Sequence, residues 1–138
     1  MSLAHANWLA ILVGTILLVA LGATWFGPKT LYPVWWKAIG KEPSEQPSND
    51  QPMWLTFSSL FFAMAIQVLA LAAILGGFSH HSLGTGLLTG AGVGIGIAAA
   101  SSLPHRLFGN QGWFVWVLES GPDLINLAIV GALLGAWH

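Results

Sequence analysis

The chain has 138 residues, of which 55% are hydrophobic and only 7% are Asp, Glu, Lys or Arg. Soluble domains carry roughly a quarter charged residues because water must wet their surface, so this composition excludes an ordinary soluble domain and predicts an integral membrane protein. The net charge of −1 and four scattered Lys and Arg residues exclude a nucleic-acid-binding surface. The lack of cysteine excludes disulfides, thiolate metal ligands and a cysteine nucleophile.

Four apolar runs predict an all-α integral membrane protein, with residues 1–138 forming one transmembrane helical bundle. At a rise of about 1.5 Å per residue, a helix of about 20 residues crosses a hydrocarbon core of about 30 Å. A β-barrel is disfavoured because apolar–polar alternation is absent. A soluble bundle is disfavoured because its helices need a wet face. The predicted spans are residues 7–27, 53–77, 83–104 and 113–137.

The connections between the spans predict the orientation of the chain. Residues 1–6 carry no Lys or Arg and the first apolar run is longer than a signal-peptide core, so we interpret it as a retained span. Residues 41–52 contain three Pro and no apolar residue, which indicates a solvated loop. All four Lys and Arg residues follow spans one and three. The positive-inside rule therefore places residues 28–52 and 105–112 in the cytoplasm and both termini outside.

Seven of the eight Trp residues are predicted to anchor the protein at the membrane–water interface, where an indole finds apolar contact and a hydrogen-bond partner. They are Trp8, Trp25, Trp35, Trp36, Trp54, Trp113 and Trp137. The Trp and Lys residues within 28–40 indicate a short segment lying in the cytoplasmic interface, with an ordinary loop as the alternative.

The third span is rich in glycine at the spacing that lets membrane helices pack closely. The pairs four residues apart involve Gly86, Gly90, Gly92, Gly94 and Gly96. The spacing leaves open whether the partner helix lies in the same protomer or in a neighbouring one. The same stretch fits a dinucleotide-binding pattern by chance, but a phosphate site needs a preceding strand and water.

The fourth span contains the candidate functional site. Glu119, Asp123 and Asn126 fall on one helical face, and carboxyls inside a span mark a functional or paired buried site. Glu119 lies within reach of the cytoplasmic face, where Arg106 is its expected ion-pair partner. Asp123 lies near the midplane, at the depth of Gln67 and Thr89, and we hypothesise that these three residues and Asn126 form a polar cluster.

Pro122 leaves two interpretations of the fourth span open. A continuous helix would be kinked at this residue, because proline lacks the N–H donor and crowds the preceding turn. Alternatively, the helix begins near Pro122, which would place both acids in water. Structural hydrogen bonding also competes with a transport role if the acids are buried.

The sequence indicates no metal or cofactor. His80 and His81 lie on the turn between spans two and three and are interpreted as solvated, since a metal site needs three or four converging ligands. His105 stands alone at the inner end of span three. No Ser–His–Asp arrangement or HExxH motif is present.

Several short motifs resemble small bacterial membrane proteins catalogued as a domain of unknown function, family 1761. They are N-W-L-A-I from residue 7, G-A-T-W-F-G-P from 22, W-K-A-I-G from 36 and G-A-L-L-G-A-W from 131. The resemblance implies four helices and a bacterial inner membrane, but no activity. In such a membrane the positive-inside rule makes both termini periplasmic. The family pattern in span four is closer to I-N-A-G-Y-H, so Glu119, Pro122 and Asp123 replace Asn, Tyr and His. This implies a polar site that persists with altered chemistry.

Three function hypotheses follow. The first is a small channel or transporter, acting as an oligomer, with the span-four acids on a proton, cation or small-solute path. The second is a structural or assembly subunit of a membrane complex that uses the Trp-rich segment as its contact. The third is a lipid-binding protein or membrane-embedded enzyme. The expected partners are membrane lipids and either a second copy or another membrane protein.

Overall fold

The computed structural model describes residues 6–27, 29–44 and 51–137, which contain only helices, turns and bends. Four helical stretches are long and apolar enough to cross a membrane, so the prediction of an all-α protein with four spans is confirmed. They are α1 (Trp8–Trp25), α3 (Met53–Gly76), the stretch Leu83–Phe108, and α6 (Gly112–Ala136). The stretch Leu83–Phe108 consists of α4 (Leu83–Val93), a π-helical segment (Gly94–Ala99) and α5 (Ala100–Phe108).

The connection after α1 contains a short helix, α2 (Tyr32–Ala38), inside the segment predicted at 28–40. Tyr32 stacks on Trp36, and the ring centroids lie 5.5 Å apart. Pro28 lies outside the described residues, and so do residues 45–50 of the predicted loop 41–52.

The third span is longer than predicted because its helix continues past Pro104 to Phe108. Proline removes a helical hydrogen bond and crowds the turn before it, which is why the sequence predicts an end there. The π-helical segment precedes this turn, and wider turns of this kind accommodate such irregularities in membrane helices. The carbonyl of Ala99 accepts hydrogen bonds from the Trp116 indole at 2.8 Å and the Ser102 hydroxyl at 3.0 Å.

The fourth span is one continuous helix through Pro122, which is buried. The alternative in which the helix begins near Pro122 is therefore wrong. The side chain of Asn7, before α1, donates to the carbonyl of Trp137, just after α6, at 3.3 Å. This contact brings the start of α1 to the end of α6, so the two helices run antiparallel.

Glycines bring α4 and α6 into backbone contact. A Cβ added to Gly86 would lie 1.9 Å from the carbonyl oxygen of Gly131, and one added to Gly135 would lie 2.1 Å from that of Ser82. A Cβ at Gly90 would meet the Leu127 carbonyl oxygen at 2.0 Å. The glycine Cα–H groups thus point at carbonyl oxygens of the opposite helix, a contact that recurs between close-packed helices. We call this contact the glycine seam.

The hydrophobic core lies toward the end of the bundle where α1 begins and α6 ends. Eight buried residues of α1, α3 and α6 form it: Ala10, Ile11, Leu18, Val68, Leu71, Leu75, Val130 and Leu134. The buried residues of α3 all belong to its second half. We call the opposite end, where α1 stops and α3 begins, the basic end, since Lys29, Lys37, Lys41 and Arg106 lie there. Packing is therefore asymmetric along the membrane-crossing direction.

Candidate functional site

Glu119 is held by two donors near the basic end of α6. The Trp35 indole of α2 donates to its Oε1 at 2.9 Å, and Arg106 of α5 forms an ion pair with its Oε2. Arg106 also donates through Nη1 to Gln111 Oε1 at 2.9 Å. The side chains of Arg106 and Glu119 are 34% and 20% exposed, so water reaches this pair only in part. The charge of Glu119 is thus balanced, and its carboxylate joins α2, α5 and α6.

Asn126 is buried between α6 and α1. Its Oδ1 accepts a hydrogen bond of 2.9 Å from the Trp25 indole at the end of α1. Because Asn126 is only 4% exposed, this donor replaces water at the amide oxygen. Asn126 is therefore engaged in helix packing.

Asp123 differs from both neighbours because its side chain is exposed and has no hydrogen-bond or ion-pair partner within residues 6–27, 29–44 and 51–137. In an α-helix, residues four or seven apart share one face. Leu127 and Val130, which stand at these spacings from Asp123, are buried. Asp123 thus points to the inside of the bundle and is nevertheless accessible, so the bundle is open at its level.

Two other helices show the same opening. On α3, Phe61 shares the face of Val68, seven residues away, yet Phe61 is 43% exposed whereas Val68 is fully buried. On α1, a Cβ added to Gly14 would lie 3.1 Å from the Val68 side chain, but one added to Gly22 would meet nothing within 4 Å. Phe61 and Gly22 are therefore less closely packed than Val68 and Gly14, which lie farther from the basic end.

The unpacked positions lie at one depth. A Cβ at Gly14 would contact both Val68 and Val130, which fixes these residues at one level. Moving seven or eight residues toward the basic end, about 11 to 12 Å along each helix, leads to Gly22, Phe61 and Asp123. We infer that these three residues border one space, and we call it the interior cleft. It presents one carboxyl between apolar walls, near the middle of α6.

The hypothesised polar cluster of four residues is not brought together by hydrogen bonds. Gln67 is exposed, and its Nε2 lies 3.6 Å from the Met64 sulfur on its own helix. The Thr89 hydroxyl donates to the carbonyl of Thr85 at 2.7 Å, one turn earlier in α4. With Asn126 bonded to Trp25, Asp123 is the member whose polar group stands alone.

The five glycines of the third span divide into two groups. Gly86, Gly90 and Gly94 face α6 within the protomer, whereas a Cβ at Gly92 or Gly96 would meet nothing within 4 Å. The opposing glycines of α6, Gly131 and Gly135, were not singled out by the sequence reasoning. Their four-residue spacing is the signal that could have found them.

The predicted Trp anchors also divide into two groups. Trp8, Trp54, Trp113 and Trp137 are exposed near helix ends. Trp25, Trp35 and Trp36 are half-buried, and each indole donates a hydrogen bond within the protein. The pairing of Trp25 and Trp35 with α6 escaped the sequence reasoning, although a half-buried indole N–H requires an acceptor.

A second concave surface lies between α5 and α6. It is an apolar groove of about 440 Å³. Its lining comprises Ile95, Ala99, Ala100, Leu103, Trp116, Val117, Ser120, Gly121 and Leu124. This groove lies on a different side of α6 from Asp123, so the two features are separate.

The fold and the site define a small four-helix membrane protein with an intramembrane carboxyl in a half-open bundle. Residues 9–135 match the model of the family described as Protein of unknown function (DUF1761), and the chain belongs to this family. No curated protein and no solved structure matches the chain.

Proposed function

We propose that the protein moves a proton or a cation across the membrane, with Asp123 as the group that binds it. The observation that supports this function is the exposure of an unpartnered carboxyl on the inner face of α6. A carboxylate inside a span is costly unless it is paired or reached by water. The opening at the basic end supplies water, and a mobile cation supplies the missing countercharge.

The contrast with Glu119 strengthens the assignment to Asp123. Glu119 already receives Arg106 and the Trp35 indole, so its charge is balanced by fixed groups. A transport site must instead release its ligand, which a carboxyl without a fixed cation allows. Glu119 and its partners hold α2, α5 and α6 together beside the opening.

The proposal extends to the oligomeric state of the protein and to its location in the cell. Gly92 and Gly96, four residues apart on an exposed part of the third span, would let a helix of a second copy approach closely. A homo-oligomer would enclose the interior cleft better than one protomer does. The family resemblance supports a bacterial inner-membrane location, and the positive-inside rule supports an orientation with the basic end in the cytoplasm.

Flux measurements in proteoliposomes test this function. A potassium-diffusion potential would drive protons, and in separate runs small cations, through the purified full chain, with an internal dye as the readout. We expect Asp123→Asn to abolish the flux and Asp123→Glu to retain it in part. Ile125→Asn is the matched control, because it places the same amide two residues away on an exposed part of α6. Equal flux through wild type and Asp123→Asn would refute the proposal.

The apolar groove favours a second candidate function, the binding of a lipid acyl chain. Its lining is almost wholly apolar and lies within two membrane-spanning helices, so hydrocarbon is the ligand that matches it. Mass spectrometry of the protein released from native membranes would show retained lipid. We expect Ala100→Phe, which fills the groove, to lose that lipid; retention by the variant would exclude this site.

A further inference from the structure

The interior cleft is bordered by aromatic side chains, which a path for protons alone would not require. Phe57 and Phe61 both share the face of Val68 on α3, and both are more than 40% exposed. On α6 the opposing polar group is the lone carboxyl of Asp123. The cleft therefore combines one negative charge with aromatic surface at membrane depth.

The set of polar groups disfavours a small inorganic cation as the preferred ligand. Calcium takes six to eight oxygen ligands, and magnesium needs octahedral geometry with several oxygens or waters. Within the residues the structure describes, no three His, Asp or Glu side chains gather in a group that could hold a metal ion. A single carboxyl cannot replace the hydration shell of such an ion.

The charged groups near Asp123 leave the carboxyl available. Glu119, one turn away on α6, is paired with Arg106, and Arg106 also bonds Gln111. Asn126 is engaged with Trp25 and presents no net charge. At the inferred depth of Asp123, the face of α3 that continues from Val68 carries Phe61, and α1 carries Gly22. No described Lys or Arg pairs with Asp123, so a bound cation can supply its countercharge.

We propose that the interior cleft binds a lipophilic organic cation, such as a hydrophobic quaternary ammonium or phosphonium ion, with its charge at Asp123 and its apolar groups against Phe57 and Phe61. This inference rests on the proposed function and names its substrate class. Aromatic faces attract cations, and apolar substituents need no oxygen ligands. Such an ion also partitions into the membrane, where the cleft lies.

Equilibrium binding of tetraphenylphosphonium to the full chain in lipid nanodiscs tests this inference, with empty nanodiscs subtracted. We expect saturable binding that potassium and tetramethylammonium at equal concentration do not displace. Asp123→Asn should weaken binding by roughly tenfold or more, because the charge pair forms away from bulk water. Asp123→Glu should restore most of it.

A pair of neighbouring phenylalanines provides the matched control. Phe61→Ala should weaken binding by roughly threefold to tenfold through the lost aromatic contact. Phe62→Ala removes the same side chain from the adjacent position, which is 67% exposed and turned about 100° away, and should leave binding unchanged. These variants keep the test valid if Asp123→Asn fails to fold.

The outcomes separate the substrate class from the transport function. Equal binding by wild type and Asp123→Asn, equal effects of the two Phe substitutions, or full displacement by potassium would each overturn the inference. A second copy that fills the cleft would also abolish binding and overturn it. Asp123-dependent proton flux without tetraphenylphosphonium binding would refute this inference alone. Asp123-dependent binding without any flux would support the site and refute transport.

Discussion

Substitution of Gly86 by alanine tests the glycine seam between α4 and α6. The added Cβ would lie 1.9 Å from the Gly131 carbonyl oxygen, so the helices must separate by about 1.5 Å to restore van der Waals contact. Separation weakens the Cα–H···O contacts along the seam, each worth about 0.5–1 kcal/mol, and overpacking of this kind costs about 1–3 kcal/mol. We therefore expect Gly86→Ala to lower the free energy of unfolding by about 2–4 kcal/mol.

The fluorescence of the eight Trp residues reports unfolding as denaturing detergent is titrated into mild-detergent micelles. Gly92→Ala is the matched control, since a Cβ there meets nothing within 4 Å. Alanine favours helix over glycine by up to about 1 kcal/mol, so this variant should be unchanged or slightly more stable. An equal loss in both variants, or no loss in Gly86→Ala, would refute the packing of α4 on α6 described above.

Two further perturbations test the hydrogen bonds to α6. Trp25→Phe should lower the free energy of unfolding by about 0.6–1.7 kcal/mol, the range for an interhelical hydrogen bond in a membrane, because buried Asn126 loses its donor. Trp36→Phe is the control and should cost less, since the Trp36 indole bonds only the exposed Glu42 carbonyl. A larger loss for Trp36→Phe than for Trp25→Phe would contradict the assignment. Glu119→Ala should cost about 1–2 kcal/mol by leaving Arg106 without its countercharge and the Trp35 indole without its acceptor, and should speed proteolysis of the α2 segment. Gln111→Ala at an exposed position should cost under about 0.5 kcal/mol. Equal proteolysis of wild type and Glu119→Ala would show that Glu119 does not hold α2.

The number and depth of the spans could be predicted because hydropathy and helical rise alone determine them. The ends of α1, α3 and α6 lie within two residues of the predicted ones. The third helix extends four residues past Pro104, since the sequence does not show how a wider turn accommodates a proline. Hydropathy identifies the residues that can lie within the membrane, whereas the exact helix end depends on local backbone geometry.

The direction in which each candidate site residue faces could not be predicted from the sequence, because it depends on how the helix packs against its neighbours. Gln67 precedes Val68 by about 100° and is exposed, while Asp123 points inward. The glycines of the third span show the same limit, because two faces carry the required spacing and only packing distinguishes Gly86 from Gly92.

In the half-open bundle, the intramembrane carboxyl of Asp123 lies outside the closely packed part. Val130 and Val68 close the half of the bundle away from the basic end with apolar contacts, and the inner face of α6 is accessible about two turns before Val130, at Asp123. The ion pair between Arg106 and Glu119 stabilises the neighbouring helices and does not involve the carboxyl of Asp123. The stability of the bundle and the proposed ligand binding thus involve different residues of the same helix.

The reactivity of single cysteines measures most directly whether water reaches Asp123 from the basic end. The chain contains no native cysteine, so each variant carries one thiol, and a membrane-impermeant thiol reagent modifies only the hydrated, ionised form. In proteoliposomes, Asp123→Cys should react from the side of the basic end, while Ile125→Cys and Val130→Cys should remain unmodified. An unreactive Asp123→Cys, with a control cysteine in the loop fully modified, would contradict the interior cleft.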